Sequence, residues 1–135
     1  MPVIEWSESL SVSVGEIDAQ HRELVRLINE LGDAMRLGKG REVLGSVLDG
    51  LITYSREHFA TEERYFDLFG YADEAAHRKE HAEFLAKVSG FRESLLTERV
   101  GLSIRVMRFL GDWLVEHVQG SDRKYVPLFH EKGLS

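Results

Sequence analysis

Seven side chains able to bind a metal recur along this chain at spacings that a helical scaffold would bring together: His21, His58, Glu62, His77, His81, His117 and Asp122. His58 and Glu62 are four residues apart, as are His77 and His81, so each pair occupies one helix face. Five of the six histidines in the protein belong to the set. There is no cysteine, which removes zinc–thiolate sites, iron–sulfur clusters, disulfides and thiol nucleophiles. Five imidazoles exceed what a single zinc takes, and magnesium or calcium would prefer an all-oxygen shell. Imidazole combined with carboxylate suits iron, and also manganese, cobalt or zinc.

The elements that must position these residues are helices. Prolines occur only at Pro2 and Pro127, leaving a long stretch free for helix. Apolar residues recur at helical spacing in four runs. The first is Ile17, His21, Leu24, Ile28, Leu31, Met35. The second is Leu44, Val47, Leu51, Tyr54, His58, extended by Tyr65 and Phe69. The third is His77, His81, Phe84, Val88, Phe91, Leu95. The fourth is Leu102, Val106, Phe109, Trp113, His117. Breaks fall at Gly38–Gly40, Gly70–Asp73 and Thr97 through Gly101. Connections this short make neighbours antiparallel, so the expectation is an all-α, up-down-up-down four-helix bundle forming a single domain over residues 1–135. Residues 1–16 read as an irregular arm with Trp6 packing onto the bundle. Ser121 or Asp122 is placed to cap a short last helix ending near Glu131. Gly45 and Gly50 fall inside the second helix, where each costs roughly 1 kcal/mol against alanine; the sequence offers no reason for them.

Topology supplies an independent test. His21 lies near the start of the first helix, His58 and Glu62 near the end of the second, His77 and His81 near the start of the third, and His117 near the end of the fourth. In an antiparallel bundle these places share one end. A lone histidine on an apolar seam is usually a core residue with satisfied nitrogens, but here five would each need partners or lose roughly 1–3 kcal/mol. Metal binding explains all of them together. Asp122 stands apart: five residues beyond His117, it is about 140° around an ideal helix. A π-bulge near Gly120 would bring it round; otherwise it is a helix cap. Spacing alone leaves both open.

Composition bounds the partners. The chain has 135 residues, 43% hydrophobic and 30% charged, with a net charge of −6. That acidity, without a Lys/Arg cluster, argues against nucleic acid and anionic membranes. The N-terminus lacks the basic and apolar regions of a signal peptide, and no run of about 18 apolar residues exists. The expectation is a cytoplasmic protein whose charged faces favour a monomer.

Two octahedral metals offer twelve positions between them. If Glu62 and Asp122 both bridge, the five histidines, the two carboxylates and one bridging oxygen fill eleven. One vacancy admits a small diatomic ligand and little more. Di-iron bundles that activate oxygen use about four glutamates and two histidines. A histidine-rich set favours highly oxidised iron less, which suits reversible binding.

The pieces Ile17-Asp18-Ala19-Gln20-His21, His58-Phe59-Ala60-Thr61-Glu62-Glu63, His77-Arg78-Lys79-Glu80-His81 and His117-Val118-Gln119-Gly120-Ser121-Asp122, with the early Glu5-Trp6, resemble the small bacterial hemerythrins. The resemblance runs over essentially the whole chain and shows no departure at the ligand positions. It implies that Asp122 is a ligand, and that two irons are joined by Glu62, Asp122 and an oxo or hydroxo bridge. His77, His81 and His117 would hold a six-coordinate iron; His21 and His58 would hold a five-coordinate iron where O2 binds. Leu24, Phe59, Trp113, Leu114 and Val118 are candidates for a dry O2 pocket, each equally readable as core. Glu63 and Tyr125 are candidate partners of the ligands, or a solvated glutamate and a packed tyrosine. No acid or base is evidently placed to cleave an O–O bond, so the function expected is non-enzymatic: O2 carriage, storage or delivery. A sensor of O2 or redox state is the alternative, weakened by the lack of room for a signalling domain. A peroxidase or nitric-oxide-handling protein, or an iron-storing bundle, would use the same scaffold.

Overall fold

The computed structural model describes residues 3–97 and 101–135. Four long helices carry it: α1 (Gly15–Arg36), α2 (Gly40–Phe69), α3 (Glu74–Ser94) and α4 (Leu102–Glu116). A five-residue π-turn (His117–Ser121) and a 3-10 turn (Asp122–Tyr125) lead into a short α5 (Val126–Glu131). No strand occurs among the described residues. Helix α1 packs on α2 and α4, and α2 on α3, the neighbours expected of an up-down-up-down bundle.

Each boundary has a local cause. Gly70 ends α2 in the left-handed conformation (φ 67°), and the Tyr71 N–H returns to the Phe66 carbonyl at 3.1 Å. Gly101 takes φ 77° immediately before α4. Of the expected break between the third and fourth helices, 98–100 lie outside the described residues, as do residues 1–2 of the expected arm.

The arm is tied down at two points. Ile4 and the Asn29 side chain exchange two hydrogen bonds, Ile4 N–H to Oδ1 at 2.9 Å and Nδ2–H to the Ile4 carbonyl at 2.8 Å. Asp18 accepts from Ser11 Oγ at 2.6 Å and from the Val12 N–H at 2.8 Å. Trp6 packs against the core, with the Arg22 guanidinium 4.7 Å from its ring centre.

Two of the expected seams shift sideways. In α4 the buried line is Leu102, Val106, Leu110, Leu114, while Phe109 and Trp113 are half-buried on the α3 side, where both rings meet Phe84. In α2, Ser55 and Phe66 take the inward places and Tyr54, Tyr65 and Phe69 lie on the flanks. A repeat of four drifts off a 3.6-residue helix, so aromatic residues adjoining the seam mimic it in sequence.

The glycines of α2 face close neighbours. A Cβ on Gly45 would lie 3.2 Å from Leu95 Cδ2, and one on Gly50 would lie 3.4 Å from Leu27 Cδ2. Gly90 in α3 has nothing within 4 Å. Gly90→Ala is therefore expected to stabilise the fold by about 0.5–1 kcal/mol through helix propensity. Gly45→Ala should gain less or lose stability, because Leu95 must move. Urea unfolding of both variants checks this; equal gains would show that the Leu95 contact does not constrain Gly45.

Candidate metal centre

One end of the bundle gathers all seven residues singled out from the sequence. His21 comes from α1, His58 and Glu62 from α2, His77 and His81 from α3, and His117 and Asp122 from the turns after α4. None is more than 3% exposed. Among the described residues the donor atoms form two groups that share both carboxylates. Glu62, His77, His81, His117 and Asp122 make one; His21, His58, Glu62 and Asp122 make the other. Asp122 spans them, with Oδ1 at 2.9 Å from His77 Nε2 and 3.0 Å from His117 Nε2, and Oδ2 at 3.1 Å from His21 Nε2. Glu62 Oε1 is 3.2 Å from both His58 Nε2 and His81 Nε2.

Asp122 reaches this position because the helix widens. Its N–H bonds to the His117 carbonyl, an i+5 to i bond that stacks the two residues instead of leaving them on different faces. Gly120 is not what permits the turn: its φ is not positive, and an added Cβ would meet nothing within 4 Å.

These atoms fit a metal better than they fit each other. Both oxygens of Glu62 and of Asp122, and Nε2 of His77, His81 and His117, are buried without a hydrogen bond despite the short contacts. In each group the donor atoms all lie within 4.8 Å of one another. Donors about 2.1 Å from a metal and at right angles lie about 3 Å apart, close to the separations here. Two fully buried carboxylates also demand compensating positive charge.

The outward ring nitrogens set the orientation. His81 Nδ1 donates to Glu63 Oε2 at 2.8 Å, and Arg78 Nη1 holds Glu63 Oε1 at 2.8 Å. His117 Nδ1 donates to Glu80 Oε1 at 3.0 Å, and Ser121 Oγ donates to the same carboxylate. His58 Nδ1 donates to Gln20 Oε1 at 2.7 Å, and Gln20 Nε2 donates to Thr61 Oγ1 at 3.1 Å. Placing the proton on Nδ1 turns the Nε2 lone pair inward. Glu63 thus meets the His81 imidazole, while Gln20 and Glu80 were not singled out from the sequence. Their only signal was position, one residue before His21 and His81. Tyr125 is fully buried near Glu62, with no hydrogen bond of ordinary length. Burial, then the charges of Asp122 and Glu62, hold its hydroxyl well above the usual tyrosine pKa.

Aromatic rings brace the imidazoles. Phe59 stacks on His81 at 3.8 Å and Trp113 on His117 at 4.3 Å. Behind them lies a largely enclosed cavity of about 10 Å³, room for about one water-sized molecule. Leu24, Phe59, Trp113 and Leu114 line it with Ile28, Leu51, Phe84 and Leu110, and Ser55 is its one polar member. Val118 is buried but does not line it.

A four-helix bundle with a buried histidine–carboxylate cluster fit for two cations defines a class of protein. The comparisons agree: residues 12–129 match the hemerythrin HHE cation binding domain, and the chain belongs to the hemerythrin family. It is 34% identical to a bacteriohemerythrin of Pseudomonas aeruginosa, covering 93% of this chain and 81% of that one. It is 32% identical to a bacteriohemerythrin of Methylococcus capsulatus, covering 94% and 97%. A solved wild-type hemerythrin superposes with a TM-score of 0.81 at 32% identity, covering 93% of this chain and 96% of the other. No helix among the described residues is long and apolar enough to cross a membrane.

Protons compete with a metal here. Burial opposes charge on His117, but Asp122 and Glu62 override it and raise its pKa to about 9. In the metal-free protein this charged His117 contributes stability below the unfolded histidine pKa of about 6.5, and the contribution is lost as pH rises through about 9. A metal needs the neutral ring. Affinity for a redox-silent divalent ion is expected to climb from pH 6 to about 9 and then level. Calorimetry across that range, with proton release in buffers of different ionisation enthalpy, checks it; a flat profile would remove His117 from the site.

Proposed function

We propose that this protein binds O2 reversibly at a pair of iron ions, as a carrier, store or local supplier. In this reading His77, His81 and His117 hold one iron, His21 and His58 hold the other, and Glu62 and Asp122 bridge them. The observation that carries it is the unequal division of donors beside an apolar cavity. Three histidines surround one position and two the other, with both carboxylates shared. The reduced pair would supply two electrons and one open position for a diatomic ligand.

The rest is done by the chain. The Gln20, Glu63 and Glu80 side chains fix their imidazoles with Nε2 facing inward. Leu24, Phe59, Leu114 and Trp113 present carbon surface to the cavity, which offers water few polar partners and leaves little room for a larger substrate. Ser55 is the cavity's only hydroxyl, and no carboxylate or imidazole lines it, so it offers no general acid for O–O cleavage. This supports binding over turnover. Burial pushes the His58 pKa down against the pull of Glu62, which favours the neutral, ligating ring.

Metal analysis with optical spectra taken reduced, in air and after removal of O2 tests the proposal. Two irons per chain, and a band that develops in air and vanishes on deoxygenation, are expected. Irons that oxidise at once and never regain the reduced spectrum would favour a redox sensor or a peroxide- or nitric-oxide-handling protein. His21→Ala or His58→Ala should abolish the reversible band and lower the iron content toward one per chain; full reversible uptake by either would overturn the ligand assignment. Trp113→Ala should shorten the time over which the band remains reversible, and an unchanged lifetime would remove Trp113 from the water-excluding wall.

A further inference from the structure

Seen from outside, the two halves of the centre are backed by different charges. In the three-histidine half, two of the three imidazoles donate to carboxylates, His81 to Glu63 at 2.8 Å and His117 to Glu80 at 3.0 Å. Both carboxylates are themselves held, Glu63 by Arg78 and Glu80 by Ser121. In the two-histidine half, His58 donates to the neutral amide of Gln20 at 2.7 Å. Among the described residues, His21 Nδ1 is buried without a hydrogen-bond partner. A carboxylate on Nδ1 makes Nε2 a more basic ligand and locks the ring, whereas an amide orients without adding charge. An unpartnered Nδ1 does neither.

We propose that the two metal positions are energetically unequal: the position of His77, His81 and His117 holds its metal tightly, and that of His21 and His58 is the labile one, emptied first. This rests on the two-metal reading above. Glu63, Glu80 and Gln20 are positioning residues that set the difference through the imidazoles they contact. Removal of such a partner lowers affinity by about 10–100-fold in metal sites generally, so each half answers separately to its own partners. When metal is scarce, the chain passes through a one-metal form that keeps the tight half.

The test uses the iron-loaded protein, counted first for two irons per chain, then challenged anaerobically with excess chelator while released iron is followed. Two phases are expected, each of one iron, differing by at least about tenfold in rate. The isosteric Glu63→Gln and Glu80→Gln should each accelerate the slow phase, on the order of 10-fold or more, and leave the fast phase unchanged. Gln20→Glu should slow the fast phase only. Far-UV circular dichroism guards against loss of fold, and the opposite directions of the two kinds of variant cannot arise from general loosening. Both irons leaving in a single phase would overturn the ordering alone, as would Glu63→Gln and Glu80→Gln acting only on the fast phase. Fewer than two irons at the start would overturn the two-metal reading beneath it.

Discussion

Two fully buried carboxylates, Glu62 and Asp122, are the constraint on which this end of the molecule depends. Uncompensated, such charges would be strongly unfavourable inside a bundle. Burial and their mutual repulsion both oppose ionisation of Glu62, yet His58 and His81 hold its pKa below the ordinary carboxylate value. Asp122 is likewise held low against burial, chiefly by His117. The imidazoles thus do two jobs: they stabilise the carboxylates in the metal-free chain and turn nitrogen lone pairs toward the same points. A cation arriving there replaces a proton, and one set of contacts serves both states.

Holding five rings in register is a packing problem, solved by aromatic side chains and by carboxylates outside the site. Phe59 and Trp113 lie flat against His81 and His117, and Phe66 meets His77 edge-on with ring centres 4.8 Å apart. Partial burial opposes charge on Glu80, but Ser121 and His117 keep its pKa below the usual value, so it remains an acceptor. Arg78 also reaches Glu74 and Asp67, tying the start of α3 to the end of α2 around the Glu63–His81 contact. His81 and His117 are thus fixed on both sides, which is what a centre of defined geometry requires.

Function follows from what adjoins the cluster. Apolar side chains from α1, α2, α3 and α4 leave a small gap beside it, and the proposed two-iron arrangement would leave one position open. A small neutral molecule suits both; a large or charged one suits neither. The arm closes the same end: Gln119 donates to the Ser9 carbonyl at 3.4 Å and His130 to the Ser13 carbonyl at 2.9 Å. Ser13 takes φ 55° there, the left-handed region, to make that turn.

What the sequence determined by itself was the bundle and the seven side chains that gather at one end of it, because both rest on local periodicity. His58 and Glu62, like His77 and His81, share a face on any helix, and short glycine-marked turns force antiparallel neighbours. The pairing of Glu63 with His81 was also within reach, since α2 and α3 adjoin. The tertiary structure alone decided the rest. Asp122 could not be placed from spacing, because the backbone between it and His117 departs from the α-helix, and the π-turn depends on what the side chains reach rather than on Gly120. The true seam of α4 runs through Leu110 and Leu114, not Phe109 and Trp113, because the sequence cannot say which of two adjacent apolar residues a neighbouring helix will cover. Gln20 and Glu80 read as surface residues until the partner helix presents an imidazole nitrogen. The unequal backing of the two halves arises only across helices, where no local pattern records it.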